Sequence, residues 1–236
     1  MNRHKTALIT GASKGLGYYL AESLAKHHWK LIITARNAND LLNAKKQLSK
    51  YTEVIAISGD VRDEVHLLEL AETINTHQWT LDLVVNNASA LGVSPLQTLI
   101  THPVDDLHKV FHTNVIAPIS LVQKLHSRLA KGAKVINISS DAATESYETW
   151  GAYGGSKAAL DHITSILAKE NSEYTFYAFE PGDMRTAMHQ AAFPNEDISD
   201  RPLPTEQAVP ALLQLIESAL PSNRYTLDSL KAASHA

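Results

Sequence analysis

The stretch "TALITGASKGLG", Thr6 to Gly17, decides how the chain is read. Thr6 to Thr10 is apolar and β-branched enough to be a strand. Glycines at positions 11, 15 and 17 follow at once, and Leu16, Tyr19, Leu20, Ser23 and Leu24 then recur with the period of a helix. A strand, a glycine turn and a helix in direct succession can cradle a phosphate. Gly11 allows the tight turn, Gly15 lets the backbone approach a ligand, and the amino end of the helix offers unpaired N–H groups to an anion. An ordinary strand-to-helix turn could carry the same glycines, so the wider pattern has to arbitrate.

Outward from this unit the alternation continues. Lys30 to Thr34, Val54 to Ser58, Leu81 to Asn87, Lys134 to Ser140, Tyr174 to Glu180 and a weaker Arg224 to Leu227 read as further strands, with helical spacing between them. Near-continuous Val and Ile suit strands covered on both faces. The expectation is an α/β fold: a doubly wound, Rossmann-type parallel sheet of about seven strands with helices on both faces. With no repeat, linker or composition break, residues 1–236 form one domain, and its irregular loop at about 183–204 should cover the carboxyl ends of the strands, where such sheets bind ligands.

Composition narrows the function. The 236 residues can bury a full core, and 44% hydrophobic with 19% charged residues is an ordinary balance. A net charge of −4 without charged blocks argues against nucleic acid. Cysteine is absent, which removes thiolate chemistry and suits a reducing compartment. The start lacks the apolar core of a signal peptide and no run is long enough for a bilayer, so a soluble cytoplasmic protein without membrane contact is expected. Sequons at Asn87 and Asn137 are then chance matches. The twelve histidines show no metal-ligand spacing; His108 and His112 stand i, i+4 without a third ligand, so no metal is expected and surface imidazoles are.

The glycine spacing G-x-x-x-G-x-G resembles that of the short-chain dehydrogenase/reductase family, and Lys14 and Arg36 stand at positions associated with its NADP-preferring members. Several later motifs carry the same resemblance. Gly59 to Val61, "GDV", is similar to the family's turn after the third strand, which implies adenine contacts for Asp60 and Val61. "NNAS" at Asn86 to Ser89 resembles the family's "NNAG", with Ser89 in place of glycine, and brings Asn87, Ala88 and Ser89 beside the cofactor. "PGDMRT" resembles the segment that closes over the nicotinamide, implying roles for Pro181, Gly182, Met184 and Thr186. With Gly11, Ser13, Lys14, Gly15, Leu16 and Gly17 these form the expected cofactor site. NADPH rather than NADH is expected, because Ala35 stands where a ribose-binding carboxylate would, with Arg36 next to it and Lys14 inside the glycine turn. Two cations near a 2′-phosphate gain about 1.5–3 kcal/mol each.

The reacting end is carried by Tyr153 and Lys157 in "YGGSK", with Ser140 at the end of the fifth strand and Asn114 in the preceding long helix. By the resemblance, Asn114, Ser140, Tyr153 and Lys157 are the catalytic set, Lys157 also holding the ribose hydroxyls and Asn114 positioning a water in a proton relay. Carbonyl reduction builds negative charge on oxygen. Ser140 can donate a hydrogen bond to it, and Tyr153 can donate the proton. Bringing a phenol from pKa 10 to about 7 needs ~4 kcal/mol, the order supplied by one cation about 4 Å away. Gly154 and Gly155, costly in a helix, imply close contacts with the cofactor and a neighbouring helix. Leu91, Ala142, Trp150 and Met188, with Val93, Ala143, His189 and Phe193, are candidate substrate contacts, and Asp183 and Glu145 disfavour an anionic substrate. The expected substrate is a small neutral carbonyl or alcohol. A catalytically idle NADPH-binding sensor or scaffold is the alternative from another class, and an epimerase or dehydratase fits the glycine spacing less well. Apolar helices at 105–129 and 152–169 suggest a homodimer or homotetramer.

Overall fold

A computed structural model of the chain describes residues 4–233. Seven strands form one sheet: β1 Thr6–Thr10, β2 Lys30–Ala35, β3 Val54–Ser58, β4 Leu81–Asn86, β5 Leu129–Ile138, β6 Thr175–Glu180 and β7 Asn223–Thr226. Their order is β3-β2-β1-β4-β5-β6-β7, and every neighbouring pair is parallel. The helices are α1 Gly15–Lys26, α2 Ala38–Leu48, α3 Glu64–Thr76, α4 Val104–Phe111, α5 Ala117–Leu125, α6 Gly151–Glu170, α7 Ala187–Ala192, α8 Ala208–Glu217 and α9 Leu227–Ala233.

Alternate side chains on each strand feed two cores. Ala7, Ile9, Leu31, Ile33, Leu83 and Val85 pack with residues of α1, α2, α8 and α9. Leu8, Ile32 and Val84 point the other way, toward Leu67 and Leu70 of α3 and Leu121 and Leu125 of α5. Burying each such side chain fully is worth about 1.5–3 kcal/mol, which is why apolarity continues along both faces of the central strands. Strand bounds fall close to those expected, except that β5 begins at Leu129 instead of Lys134. Leu129 pairs with Leu81, and the register then shifts before Lys134 meets Leu83. Lys131 and Gly132 (φ +75°) disguise this irregular start in the sequence.

Polar groups inside the sheet are paired. Asn86 Nδ2 donates to Asn137 Oδ1 (2.7 Å), and Asn137 Nδ2 donates to Thr164 Oγ1 (2.7 Å), joining β4, β5 and α6. Asn137 is 2% exposed and the Asn87 amide is bonded to backbone, so neither sequon is presented to solvent. His108 and His112 are exposed, as expected, whereas His66 and His102 are buried. His66 Nε2 meets Thr34 Oγ1 (2.8 Å), and burial holds its pKa below the usual imidazole range. Gly59 makes room for this ring, because a Cβ there would lie 2.2 Å from His66 Nδ1. His102 Nε2 lies 2.8 Å from Asp106 Oδ2.

Candidate active site

The carboxyl ends of β1 and β4, where the strand order reverses, are stitched together. Thr10 Oγ1 accepts from the backbone N–H groups of Asn87 (3.0 Å) and Ala88 (2.9 Å). Asn87 Nδ2 donates to the carbonyls of Thr10 (2.9 Å) and Gly11 (3.1 Å). The glycine turn needs its glycines on steric grounds. Gly11 and Gly15 take φ of +66° and +59°, and a Cβ on Gly17 would meet Asn87 Nδ2 at 2.4 Å and the Gly11 carbonyl oxygen at 2.6 Å. Gly17→Ala should therefore cost about 1–3 kcal/mol, as overpacking against hydrogen-bonded groups does. A thermal melt should show Tm falling by roughly 3–10 °C; an unchanged Tm would disprove the clash.

This cradle fits a dinucleotide. Lys14 is exposed at the N-cap of α1 and makes no side-chain cap bond, Ser13 precedes it, and Leu16 is buried beneath. Arg36 is exposed just beyond β2. Asp60 is gripped by Arg62, with Nη2 2.7 Å from Oδ2 and Nε 3.2 Å from both oxygens, and this pairing holds its carboxyl below the usual range. Arg62 thus adds a third cation near Arg36, visible in the sequence only as a residue two after Asp60. Val61 lies beside it, partly buried. From the other side Thr186 reaches over the turn, its Cγ2 3.9 Å from where a Gly15 Cβ would stand, while its Oγ1 caps α7 by accepting from His189 N (3.2 Å). Pro181 is buried, and Gly182 (φ +69°) packs against Leu227. Met184 packs partly buried against the main core.

Next to the cradle, Asn114, Ser140, Tyr153 and Lys157 come together. Asn114 sits in a π-helical segment, His112–Ile116, that breaks the expected long helix between α4 and α5. Its Oδ1 accepts from Ala90 N (2.8 Å) and Ser89 Oγ (3.0 Å); its Nδ2 donates to Ala90 O (2.9 Å) and Ser156 Oγ (2.9 Å). All four places on the amide are filled by protein, so the side chain braces the end of β4 against α6. Ser140 Oγ donates to Asp141 Oδ1 (2.8 Å) and accepts from Ala142 N (3.2 Å). Lys157 is 2% exposed; its Nζ donates to Ile138 O (2.7 Å) and lies 5.5 Å from the centre of the Tyr153 ring. A Cβ on Gly154 would strike the Ala142 carbonyl at 2.6 Å, which accounts for that glycine. Gly155 meets only Phe111, at an ordinary 3.7 Å, so no close contact requires it.

A family model described as short chain dehydrogenase matches residues 5–197. The chain belongs to the short-chain dehydrogenase family. It is 35% identical, over 70% of its length and 66% of the relative's, to a "Rhamnolipids biosynthesis 3-oxoacyl-[acyl-carrier-protein] reductase" of Pseudomonas aeruginosa. With a "Diacetyl reductase [(S)-acetoin forming]" of Staphylococcus epidermidis it shares 33% identity over 78% of this chain and 73% of that one. Among solved structures, a short chain dehydrogenase from Shigella flexneri complexed with NADP superposes with a TM-score of 0.88 at 26% identity, covering 95% of this chain and 97% of that one.

In this short-chain dehydrogenase the electrostatics of Tyr153 correct one expectation. Burial pushes its phenol up to about 12, opposed by the Ser140 and Ser89 hydroxyls and reinforced by the Asp141 charge. Lys157 does not pull it down toward 7, because its ammonium is committed to the Ile138 carbonyl and is itself driven to about 8 by burial, with Asp161 pulling the other way. Losing water costs a buried phenolate more than one distant cation returns, here roughly 3 kcal/mol against ionisation. Ser89, a departure from the family's glycine, supplies a hydroxyl beside the phenol that the motif comparison could not anticipate.

Over Tyr153 the short-chain dehydrogenase carries a small apolar cluster. Leu91, Ala142, Tyr153 and Ala192 are buried together, with Leu96, Trp150, Ala191 and Phe193 packed on them. The Trp150 ring is edge-on to Tyr153 (5.7 Å) and tilted on Phe193 (5.9 Å), and the His189 ring is likewise tilted on Phe193 (5.0 Å). Ser94 Oγ donates to Ala191 O (2.7 Å), tying the loop after β4 to α7. Met188 does not join this group: it is 36% exposed on α7 and faces solvent. Among the described residues no three His, Asp or Glu side chains are placed to share a metal ion, and no helix is long and apolar enough to cross a membrane.

Proposed function

We infer that this oxidoreductase uses NADPH to reduce a small, neutral carbonyl compound to an alcohol. The carrying observation is the convergence of Ser140, Tyr153 and Lys157 beside a glycine cradle in which positive φ at Gly11 and Gly15 and crowding at Gly11 and Gly17 disfavour side chains. NADP in a related structure, with Lys14, Arg36 and Arg62 on the cradle's outer side, supports the choice of cofactor. When bound, NADPH supplies hydride. Gly11, Ser13, Lys14, Gly15, Leu16 and Gly17 would hold its diphosphate, Lys14 and Arg36 its 2′-phosphate, and Asp60 and Val61 its adenine. Asn87, Ala88, Ser89, Pro181, Gly182, Met184 and Thr186 would line the rest of the groove.

The chain's own groups then handle the carbonyl oxygen. Ser140 turns its O–H from Asp141 to that oxygen, and Tyr153 donates a hydrogen bond and then its proton. A phenol that burial keeps protonated at neutral pH suits this direction, since reduction needs a donor there. The Lys157 ammonium, 5.5 Å from the centre of the Tyr153 ring, would partly offset the negative charge left on the phenolate, which then takes a proton back from solvent. Leu91, Ala142, Trp150 and Phe193 would face the substrate, and the segment at about 183–204, with α7 in it, would open to admit it and close to exclude water. Asp183 and Glu145 near this mouth would disfavour anions. Exposed Phe111 at the end of α4 and Ile116 in the π-helical segment, with Ile166 of α6, would be covered in a homodimer or homotetramer.

The test is NADPH oxidation, followed by absorbance, with aldehydes, ketones, diketones and quinones. Turnover with at least one class, and little with NADH, is expected. Tight NADPH binding without turnover across the panel would overturn the reductase reading in favour of a cofactor-binding sensor.

A further inference from the structure

Behind Lys157, away from the carbonyl site, lies a charged group that the proposed reaction does not use. Asp161 follows Lys157 by one turn of α6 and is largely buried, its side chain 14% exposed. Arg224 comes from β7, at the edge of the sheet. Its Nε donates to Asp161 Oδ2 (2.9 Å) and its Nη2 donates to the Ser140 carbonyl (3.0 Å). Asp161 Oδ1 and Ser139 Oγ are buried side by side, and the Ser139 hydroxyl and Arg224 oppose the burial that pushes the Asp161 carboxyl up. Two cations therefore hold the end of β5 from behind, Lys157 through the Ile138 carbonyl and Arg224 through that of Ser140. The carboxylate of Asp161 stands between them.

We propose that Asp161 and Arg224 are positioning residues: Asp161 keeps Lys157 in its charged form, and Arg224 holds both Asp161 and the Ser140 backbone in place. This rests on the reading of Ser140, Tyr153 and Lys157 as the reacting set. Tyr153 and Lys157 lie on α6, Asp141 follows β5, and Glu180 ends β6, its carboxyl pushed up by burial and bonded to Gly182 N (2.9 Å). Asp228 on α9 adds a further negative charge near Glu180. Arg224 is thus the cation shared by Asp161 and Glu180, and Asp161 is the carboxylate whose field reaches the Lys157 ammonium. Burial alone drives Lys157 toward its neutral form, so a buried carboxylate one turn away has a definite effect on it.

Without the Asp161 charge, Lys157 loses its proton at lower pH, and whatever depends on its charge fails earlier as pH rises. NADPH binding, read by quenching of intrinsic fluorescence from pH 6 to 10, gives a measure independent of turnover, and kcat/KM gives a second. The natural protein should lose affinity above about pH 8. Asp161→Asn should move that limb about one pH unit lower, a tenfold loss of affinity on its alkaline side, while Asp161→Glu keeps it in place. Arg224→Gln should lower kcat at every pH by freeing the Ser140 backbone, without moving the limb downward; Arg224→Lys should recover part of the loss. Should Asp161→Asn not fold, Asp161→Asn in the Arg224→Gln background leaves neither charge unpaired, and it must still shift the limb relative to Arg224→Gln alone. A limb that stays put in these Asn variants, with affinity reduced equally at all pH values, overturns the proposal. A natural protein whose NADPH affinity has no alkaline limb overturns it as well. Binding that shows the limb and its shift, in a protein with no carbonyl turnover, upholds the pair and rejects the reductase reading.

Discussion

Tyr153→Phe should abolish most carbonyl turnover, lowering kcat by about 10²–10⁴-fold, the range supplied by a positioned proton donor. The substitution removes only the hydroxyl. The ring keeps its packing with Trp150 and its place beneath α7, so the fold should lose no more than about 1 kcal/mol, the net worth of one hydrogen bond. NADPH affinity should change little, because the cradle is built from other elements. The comparison needs kcat, Tm and NADPH affinity on both proteins. Ser89 and Ser140 stand close to the phenol, so a residual rate is expected; their hydroxyls can donate hydrogen bonds but give up a proton far less readily. A variant that keeps more than a tenth of its turnover would remove Tyr153 from the proton-donor role.

The second large effect concerns cofactor choice. Arg36→Ala should weaken NADPH binding by about 10–100-fold and leave NADH binding nearly unchanged, since the lost hydrogen bonds, ~1.5–3 kcal/mol, go to a phosphate that NADH lacks. Lys14→Ala should act in the same direction, and the pair together should bring the two cofactors close to parity. Both side chains are exposed and neither packs in the core, so stability should not confuse the result. Arg62 is a less clean target, because removing it also frees Asp60 from its ion pair. Equal losses for NADH and NADPH would mean that these cations serve the shared diphosphate instead of the 2′-phosphate. Fluorescence titration with each cofactor settles the matter.

Local chemistry explains why so much was legible in the sequence. The central strands are legible because they are covered on both faces, and helical spacing fills the intervals between them. Gly11, Gly15 and Gly17 could be read as a cradle because a positive φ or an approaching atom excludes every other residue. The spacing of Tyr153 and Lys157 on one helix carries little weight alone and gains it from Ser140 and Asn114, which complete the family's set. Each of these signals sits within a few residues of the feature it specifies.

What the sequence by itself determined, then, was the order of elements, the cradle and the candidates for chemistry. The tertiary structure decided the rest, because burial and partners come from residues distant along the chain. The start of β5 depends on pairing with Leu81, and the Asn114 amide is filled by groups from β4's end and from α6. The Tyr153 phenol rises instead of falling because α7 and Trp150 strip it of water. His66 and His102 are interior only because Thr34 and Asp106 receive them there. Arg224 lies 63 positions from the Asp161 carboxylate it holds, and only the alignment of β7 against β6 brings the two together. Periodicity records which face of an element is apolar; which charges meet behind the active site is set by the packing of the whole sheet.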